Sequence, residues 1–142
     1  MNPTLEKFGY PATLLVELEH WAILLRREQV TLGSLVLAAR SDATRYSELP
    51  AQAFTEQGEA VRRIERALGH FVAFEKINYL MLMMVDPNPH FHVIPRYSEL
   101  RRWKGIEFAD EGWPRAPRLD SAIILDDGQI ADLVGDLSLN FR

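Results

Sequence analysis

Two of the four histidines of this chain lie two positions apart, in a segment whose composition suits a strand. His90 and His92 alternate with Phe91 and Val93, and this apolar, β-prone pattern predicts a short strand. Successive side chains of a strand point to opposite faces, so both imidazoles share one face. Such a pair could be structural, could be half of a metal site, or could combine a nucleophile with a partner that handles charge and protons.

The nucleophilic interpretation sets definite requirements on the two rings. Phosphoryl and nucleotidyl transfer depend mainly on positioning and charge stabilisation. A histidine nucleophile splits the displacement into two steps through a phosphoramidate. Its attacking nitrogen must be neutral, and its other nitrogen must donate a hydrogen bond, which we expect a backbone carbonyl to accept. The second imidazole would then donate to the phosphate or to the leaving oxygen.

The segment His90–Arg96, with the sequence His-Phe-His-Val-Ile-Pro-Arg, resembles the end of the histidine triad signature, His-φ-His-φ-His-φ-φ, where φ is apolar. In that register His92 is the third histidine and His90 is the middle one, the nucleophile of the family. Asn88 stands at the first position, so the triad is a dyad here. With the elements that precede the motif, the resemblance spans residues 14–97.

The resemblance implies an α+β fold of the HIT-like type, with a five-stranded antiparallel sheet and one long helix, and local patterns add a short C-terminal helix. It also implies a homodimer and a nucleotide phosphate as substrate. The length of the chain predicts a single domain over residues 1–142, and the shortage of further ligands and of cysteine predicts that no metal or cofactor is needed. The implied activity is that of a nucleotidyl hydrolase or transferase, with a covalent nucleotidyl-histidine on His90 and with His92 as the second catalytic group. Two alternatives stay open: a catalytically weak nucleotide-binding dimer of the same fold, and a metal-binding protein that uses His90 and His92.

The sequence departs from the family pattern around the expected nucleotide pocket. Asn88 can still hydrogen bond to substrate, and we include it with Arg96 among the predicted substrate-binding residues. Relatives often carry an aspartate after the second strand that holds the ribose hydroxyls. Here that stretch reads Arg26-Arg27-Glu28, and Glu28 is the residue that could take the part. Met83-Met84-Val85-Asp86-Pro87 replaces a polar loop and offers few hydrogen-bond donors.

The elements around the motif follow from local patterns. We expect residues 1–12 to form an arm without helix or strand, and residues beyond Tyr97 to be irregular up to a short C-terminal helix. The predicted helices are Ala51–Leu68, which begins after Pro50 and ends at Gly69, and Gln129–Leu137. The predicted strands are Thr13–Glu17, Trp21–Leu25, Ser34–Ala39, a central Glu75–Val85 with methionines filling the core, and a histidine strand bracketed by Pro89 and Pro95.

Composition limits the classes of protein that this chain can belong to. It has 142 residues, of which 47% are hydrophobic and 25% are charged, as expected for a globular domain. A net charge of −4 argues against general nucleic-acid binding. The absence of cysteine excludes thiolate chemistry and is compatible with a cytoplasmic protein. The longest apolar run, Tyr79–Val85, is too short to span a membrane.

Overall fold

The computed structural model describes all residues from Met1 to Arg142. The chain forms three α-helices and nine strands, with 3₁₀ turns at Tyr46–Glu48 and Leu139–Phe141. In chain order the elements are α1 (Pro3–Lys7), β1 (Leu14–Glu17), β2 (Trp21–Leu25), β3 (Glu28–Gln29), β4 (Leu35–Ala39), α2 (Ala51–Val72), β5 (Lys76–Leu80), β6 (His90–Arg96), β7 (Arg101–Trp103), β8 (Ile106–Phe108), β9 (Ile123–Ile124) and α3 (Asp127–Ser138). No helix is long and apolar enough to cross a membrane.

Five strands form one antiparallel sheet in the order β1-β2-β4-β6-β5, which confirms the predicted α+β architecture. A large hydrophobic core contains residues of β2, β4, α2 and α3. Five other buried residues form a second cluster, in which Leu5 of α1 packs with β2 and β4. The sheet residues of the two clusters alternate along β2 and β4, so helices cover both faces and both strands are fully buried.

Helix α2 continues one turn past its predicted end. Gly69 lies inside the helix, and the chain leaves the helix at Ala73, which adopts the left-handed conformation with φ 48°. The Ala73 N–H bonds to the carbonyl of Gly69. The prediction that Gly69 ends the helix was therefore wrong, because a glycine signals a helix end only where the left-handed residue falls on it.

Strand β5 is much shorter than predicted and lies at the edge of the sheet instead of its centre. It ends at Leu80, and residues 81–89 form a connection to β6. Met84 and Val85 are 84% and 82% exposed, so this part of the apolar run does not fill the core. The apolar run predicts a strand that is buried on both faces, but the second half of the run is an exposed surface loop.

The predicted N-terminal arm contains a helix. Asn2 caps α1 by accepting a hydrogen bond from the N–H of Leu5, and Pro3 occupies the first helical position. Both are ordinary helix-start signals, which the shortness of the segment concealed. Thr4 and Leu5 are buried, so tertiary contacts hold this single turn in place.

The region after Tyr97 is also more ordered than predicted. Strands β7 and β8 form a hairpin, and its turn residues Lys104 and Gly105 both have positive φ, 46° and 78°. That pair suits a two-residue turn of the primed type. Further on, β9 pairs with β3, and α3 begins at Asp127, two residues before the predicted start, with Asp126 as its capping residue.

Candidate active site

Strand β6 holds the histidine pair between two neighbouring strands. His90 lies opposite Ala38 of β4, and His92 lies opposite Val36 of β4 and Leu80 of β5. The imidazoles share one face, as predicted, with ring centroids 5.2 Å apart. His90 and His92 are 2% and 8% exposed. Because β6 is paired on both sides, it holds the two buried rings on a rigid backbone.

Strand β6 starts directly after Pro89 and ends at Arg96, one residue beyond Pro95, so it starts and stops near the two prolines as predicted. Pairing with β4 stops at Val93, so Pro95 lies beyond the end of that neighbour. Its carbonyl instead accepts a hydrogen bond from Thr31 Oγ1 at 2.7 Å. A proline is tolerated there because no ladder hydrogen bond is needed from its nitrogen.

His90 meets the stated requirement for a neutral histidine nucleophile. Its Nδ1 lies 2.7 Å from the backbone carbonyl of Asn88. A carbonyl only accepts hydrogen bonds, so Nδ1 carries a proton, and in the neutral ring Nε2 carries the lone pair. Nε2 has no protein partner, and no unpartnered side-chain nitrogen of the chain is buried. The attacking nitrogen is therefore accessible, on a ring that lines a cavity.

His92 has the opposite arrangement. Arg26 Nε donates to His92 Nδ1 at 3.3 Å, so the neutral ring carries its proton on Nε2. Burial, aided by the nearby Arg26 charge and by His90, lowers the pKa of His92 from its usual 6.5 to about 4. Burial also lowers the pKa of the Arg26 guanidinium, and Glu28 opposes that shift. Arg26 is not among the predicted site residues. Its position directly after the apolar run of β2 was the one sequence feature that could have indicated a role in the site.

The N-terminal helix and its exit form one wall of the site. The ring of Phe8 lies 5.6 Å from that of His90 and 5.7 Å from that of His92, centroid to centroid. Lys7 reaches across to Asp86 at 3.0 Å and so joins α1 to the loop before β6. These residues lie about eighty positions from the motif along the chain, so no local pattern indicated their role.

The cavity in front of the imidazoles has a volume of about 500 Å³. Fourteen residues line it: Lys7, Phe8, Gly9, Arg26, Arg27, Glu28, Leu82, Met83, Met84, Val85, Asp86, His90, His92 and Ile124. Three cationic side chains face two carboxylates, so the fixed charge is slightly positive in a chain that is acidic overall. Part of the lining is apolar, formed by the loop after β5 and by Ile124. A cavity of this kind suits an anionic ligand that carries an apolar part.

The predicted substrate-binding residues are not all in this cavity. Glu28 lines it and lies 3.6 Å from Arg26 Nη1. Asn88 does not line it. The Asn88 side chain is 2% exposed, accepts from Thr4 Oγ1 at 2.9 Å and donates to the Ala43 carbonyl at 2.9 Å. Its contribution to the site is the backbone carbonyl that orients His90.

Arg96 lies outside the cavity as well. Its guanidinium is paired with Asp110 at 2.7 Å and also donates to Asn78 and to the carbonyl of Arg115. The side chain is 4% exposed, and these bonds engage Nε and both terminal nitrogens. Arg96 therefore ties β6 to β5 and to the region after β8. The predicted substrate-binding role does not fit this placement, because the guanidinium is buried and fully engaged outside the cavity.

The histidines do not gather with other possible metal ligands. No group of three or more histidine, cysteine, aspartate or glutamate side chains is arranged to hold a metal ion. Among other side chains that could ligate a metal, Asp86 lines the cavity, whereas His20 and His70 do not. His92 Nδ1, a possible ligand atom, is already occupied by Arg26.

No protein-family model and no curated protein matches this chain, but solved structures do. A histidine triad protein from Bradyrhizobium japonicum superposes with a TM-score of 0.74 at 19% identity, over 100% of this chain and 97% of its own. A histidine triad protein from Marinobacter aquaeolei gives 0.68 at 19%, over 96% and 93%. The diadenosine triphosphate hydrolase of Plasmodium falciparum gives 0.66 at 9%, over 91% and 76%. The chain therefore has the HIT-like fold, as the motif implied.

Proposed function

We propose that this protein is a nucleotidyl hydrolase or transferase that acts on a nucleotide phosphate through a covalent nucleotidyl-histidine on His90. The substrate would be of the phosphoramidate or dinucleoside polyphosphate type. The observation that carries the proposal is the 2.7 Å contact between His90 Nδ1 and the Asn88 carbonyl. It leaves a neutral, accessible Nε2 on a rigid strand, which a nucleophile needs.

The reaction has two displacements at phosphorus. In the first, the Nε2 lone pair of His90 attacks the α-phosphorus, and the bond to the leaving group breaks with its electron pair on that group. In the second, water or an acceptor hydroxyl attacks the same phosphorus, loses a proton to solvent, and returns the bonding pair to His90. His92 Nε2–H donates a hydrogen bond to the phosphoryl group, whose negative charge it stabilises.

The cavity offers groups for the rest of a nucleotide. Lys7, Arg26 and Arg27 line it and supply positive charge for phosphate oxygens. Glu28 can accept hydrogen bonds from sugar hydroxyls. Phe8 supplies an apolar wall beside both imidazoles.

A second candidate function is nucleotide binding without appreciable turnover. It is favoured by the loop before β6, in which Met84 and Val85 are exposed and the side chains offer few donors to a phosphate. Saturable binding of AMP, with no product from a panel of nucleotide substrates, would support this function in place of the first.

Histidine variants test the proposed chemistry. His90→Ala should abolish turnover by removing the attacking nitrogen, a loss of about 10³-fold or more. His92→Ala should cost about 10²–10⁴-fold, because it removes charge stabilisation and leaves the nucleophile in place. The measurement is product release from a nucleotide panel, with circular dichroism as a folding check. His70→Ala, on the exposed side of α2, is the matched control. Near wild-type turnover by His90→Ala would disprove the nucleophile assignment.

We also propose a homodimer formed through α2 and β5. Strand β5 is an edge strand, with one neighbour in the sheet, and its free side is available to a second copy. Exposed Phe54 on α2 and exposed Leu82 just beyond β5 add apolar surface, 42% and 46% exposed. Light scattering should give the mass of two chains at micromolar concentration, and a monomer there would contradict the proposal.

A further inference from the structure

Arg26 makes an unusual contact with the second histidine of the site. It directly follows β2, is 9% exposed, and donates from Nε to His92 Nδ1 at 3.3 Å. Its Nη1 donates to the carbonyl of Glu28 at 2.8 Å, which fixes the plane of the guanidinium. A guanidinium has donors and no acceptor, so His92 Nδ1 can only accept. The imidazole proton is therefore on Nε2, which has no protein partner and is accessible.

We infer that Arg26 is a positioning residue that holds His92 as a neutral Nε2–H hydrogen-bond donor, so that the site selects substrates whose leaving group departs as a stable anion. A phosphate or polyphosphate is such a leaving group, and an amine is not. The selection of leaving groups rests on the proposed function. The state of His92 in the free protein does not.

The proton balance explains the selection. A neutral imidazole that gave up its Nε2 proton would become an imidazolate anion, so neutral His92 can donate a hydrogen bond but cannot transfer that proton. A phosphate takes the electron pair of the breaking bond and leaves as an anion. An amine leaving group must gain a proton as its bond to phosphorus breaks. His92 could supply that proton only as an imidazolium, and the second proton that an imidazolium needs would have to occupy Nδ1, where Arg26 donates.

The groups around His92 keep its imidazole neutral by lowering its pKa, with the single exception of Asp86. Burial is the largest influence on the pKa of His92, and the charges of Arg26 and Lys7, with that of His90 when it is protonated, oppose a cationic ring, whereas Asp86 favours one. Asp86, however, is 3.0 Å from Lys7, which neutralises much of its effect. Phe8 packs edge-on against the ring and excludes water from that side. No other side chain forms a hydrogen bond with His92 Nδ1.

The tautomer can be measured directly in the free protein. Long-range proton–nitrogen NMR of ¹⁵N-histidine protein should show His92 as the Nε2–H tautomer, and His90, bonded to the Asn88 carbonyl, as Nδ1–H. Arg26→Met keeps much of the side-chain volume but removes the donor and the charge, so His92 should populate Nδ1–H and its pKa should rise. Arg27→Met is the control, because Arg27 lines the same cavity but bonds to Leu125 and Asp127.

An Nδ1–H tautomer of His92 in the wild type, or an unchanged His92 spectrum in Arg26→Met, would overturn the inference. The wild-type spectrum needs no variant, so the test survives if Arg26→Met does not fold. His90 is an internal reference, since its carbonyl contact does not involve Arg26.

Matched substrates test the leaving-group selection. Diadenosine triphosphate should have a kcat/KM at least about 10²-fold above that of an adenosine 5′-phosphoramidate, because general acid catalysis is missing for the amine. Arg26→Met should shrink that ratio. Equal or faster use of the phosphoramidate by the wild type would overturn the inference and leave His90 catalysis intact. Absence of turnover with both substrates would instead overturn the proposed function, and the NMR result would still decide the state of His92.

Discussion

Two identical side chains on one strand have different chemical states because each meets a different partner through Nδ1. A carbonyl oxygen faces His90 Nδ1 and accepts a hydrogen bond from it, whereas a guanidinium faces His92 Nδ1 and donates a hydrogen bond to it. The first arrangement leaves a lone pair on Nε2, and the second leaves a hydrogen there. A lone pair for the proposed nucleophilic attack and a hydrogen-bond donor thus arise from the environment alone, as catalytic carboxylate pairs acquire separate roles elsewhere.

The Asn88 side chain does not face the cavity, and it stabilises the site through buried hydrogen bonds to other parts of the chain. Asn88→His should therefore destabilise the fold, by about 1–3 kcal/mol, because it breaks buried hydrogen bonds to Thr4 and to the carbonyl of Ala43. The family pattern alone would suggest that this substitution completes the triad. Urea unfolding measures the loss, and an unchanged midpoint with raised turnover would contradict the placement of Asn88.

A double-mutant cycle isolates this contact. Thr4→Val removes the hydroxyl that bonds to Asn88, so Asn88→Ala and Thr4→Val should together cost less than the sum of the two single losses. Strictly additive losses would show that the contact between α1 and the segment before β6 contributes no free energy of its own.

At the residue scale, the sequence predicted what depends on local spacing. His90 and His92 share a face because side chains alternate along a strand, and the structure bears this out. The Arg26–His92 contact joins residues 66 positions apart, and Phe8 reaches the imidazoles from the N-terminal segment. Such contacts depend on how strands and helices pack, so local spacing could not reveal them.

At the scale of elements, the sequence predicted strands correctly where an apolar run is also buried in the structure. Strands β2 and β4 are fully buried, and their apolar runs placed them correctly. The apolar run from Ile77 to Val85 predicts a buried strand, but only its first part pairs in the sheet, because apolar composition alone does not ensure burial. Helix α1 was missed because a five-residue helix is stable only through tertiary contacts.

The end of α2 provides a test of local conformation. Ala73 has φ 48°, a conformation that costs an L-residue roughly 1 kcal/mol more than it costs glycine. Ala73→Gly should therefore raise the free energy of unfolding by up to about 1 kcal/mol, measured by urea denaturation. Gly105→Ala is the converse control: φ is 78°, and the added Cβ would meet no atom within 4 Å. That variant should lose stability by a similar amount, and a gain would refute the explanation.

At the scale of the whole molecule, the site brings together three parts of the chain that are distant in sequence. The segment around α1 supplies Lys7 and Phe8, the residues after β2 supply Arg26 to Glu28, and the loop and strand around the motif supply the imidazoles. The ion pair between Lys7 and Asp86 and the hydrogen bonds of Asn88 close this arrangement. The geometry of the candidate site and the stability of the fold therefore rest on some of the same contacts.

The pH dependence of folding should report this coupling through His92. Its pKa is about 4 in the folded protein, against roughly 6.5 when unfolded. Between these values the unfolded chain binds the extra proton, so the stabilisation is complete above pH 6.5 and falls as the pH drops towards 4. From pH 7 to pH 4.5 the wild type should lose about 2–3 kcal/mol more than His92→Gln, measured by urea unfolding. His70→Gln, on the exposed side of α2, should follow the wild type. Equal losses in the wild type and His92→Gln would mean that His92 titrates normally, and that burial beside Arg26 does not keep it neutral.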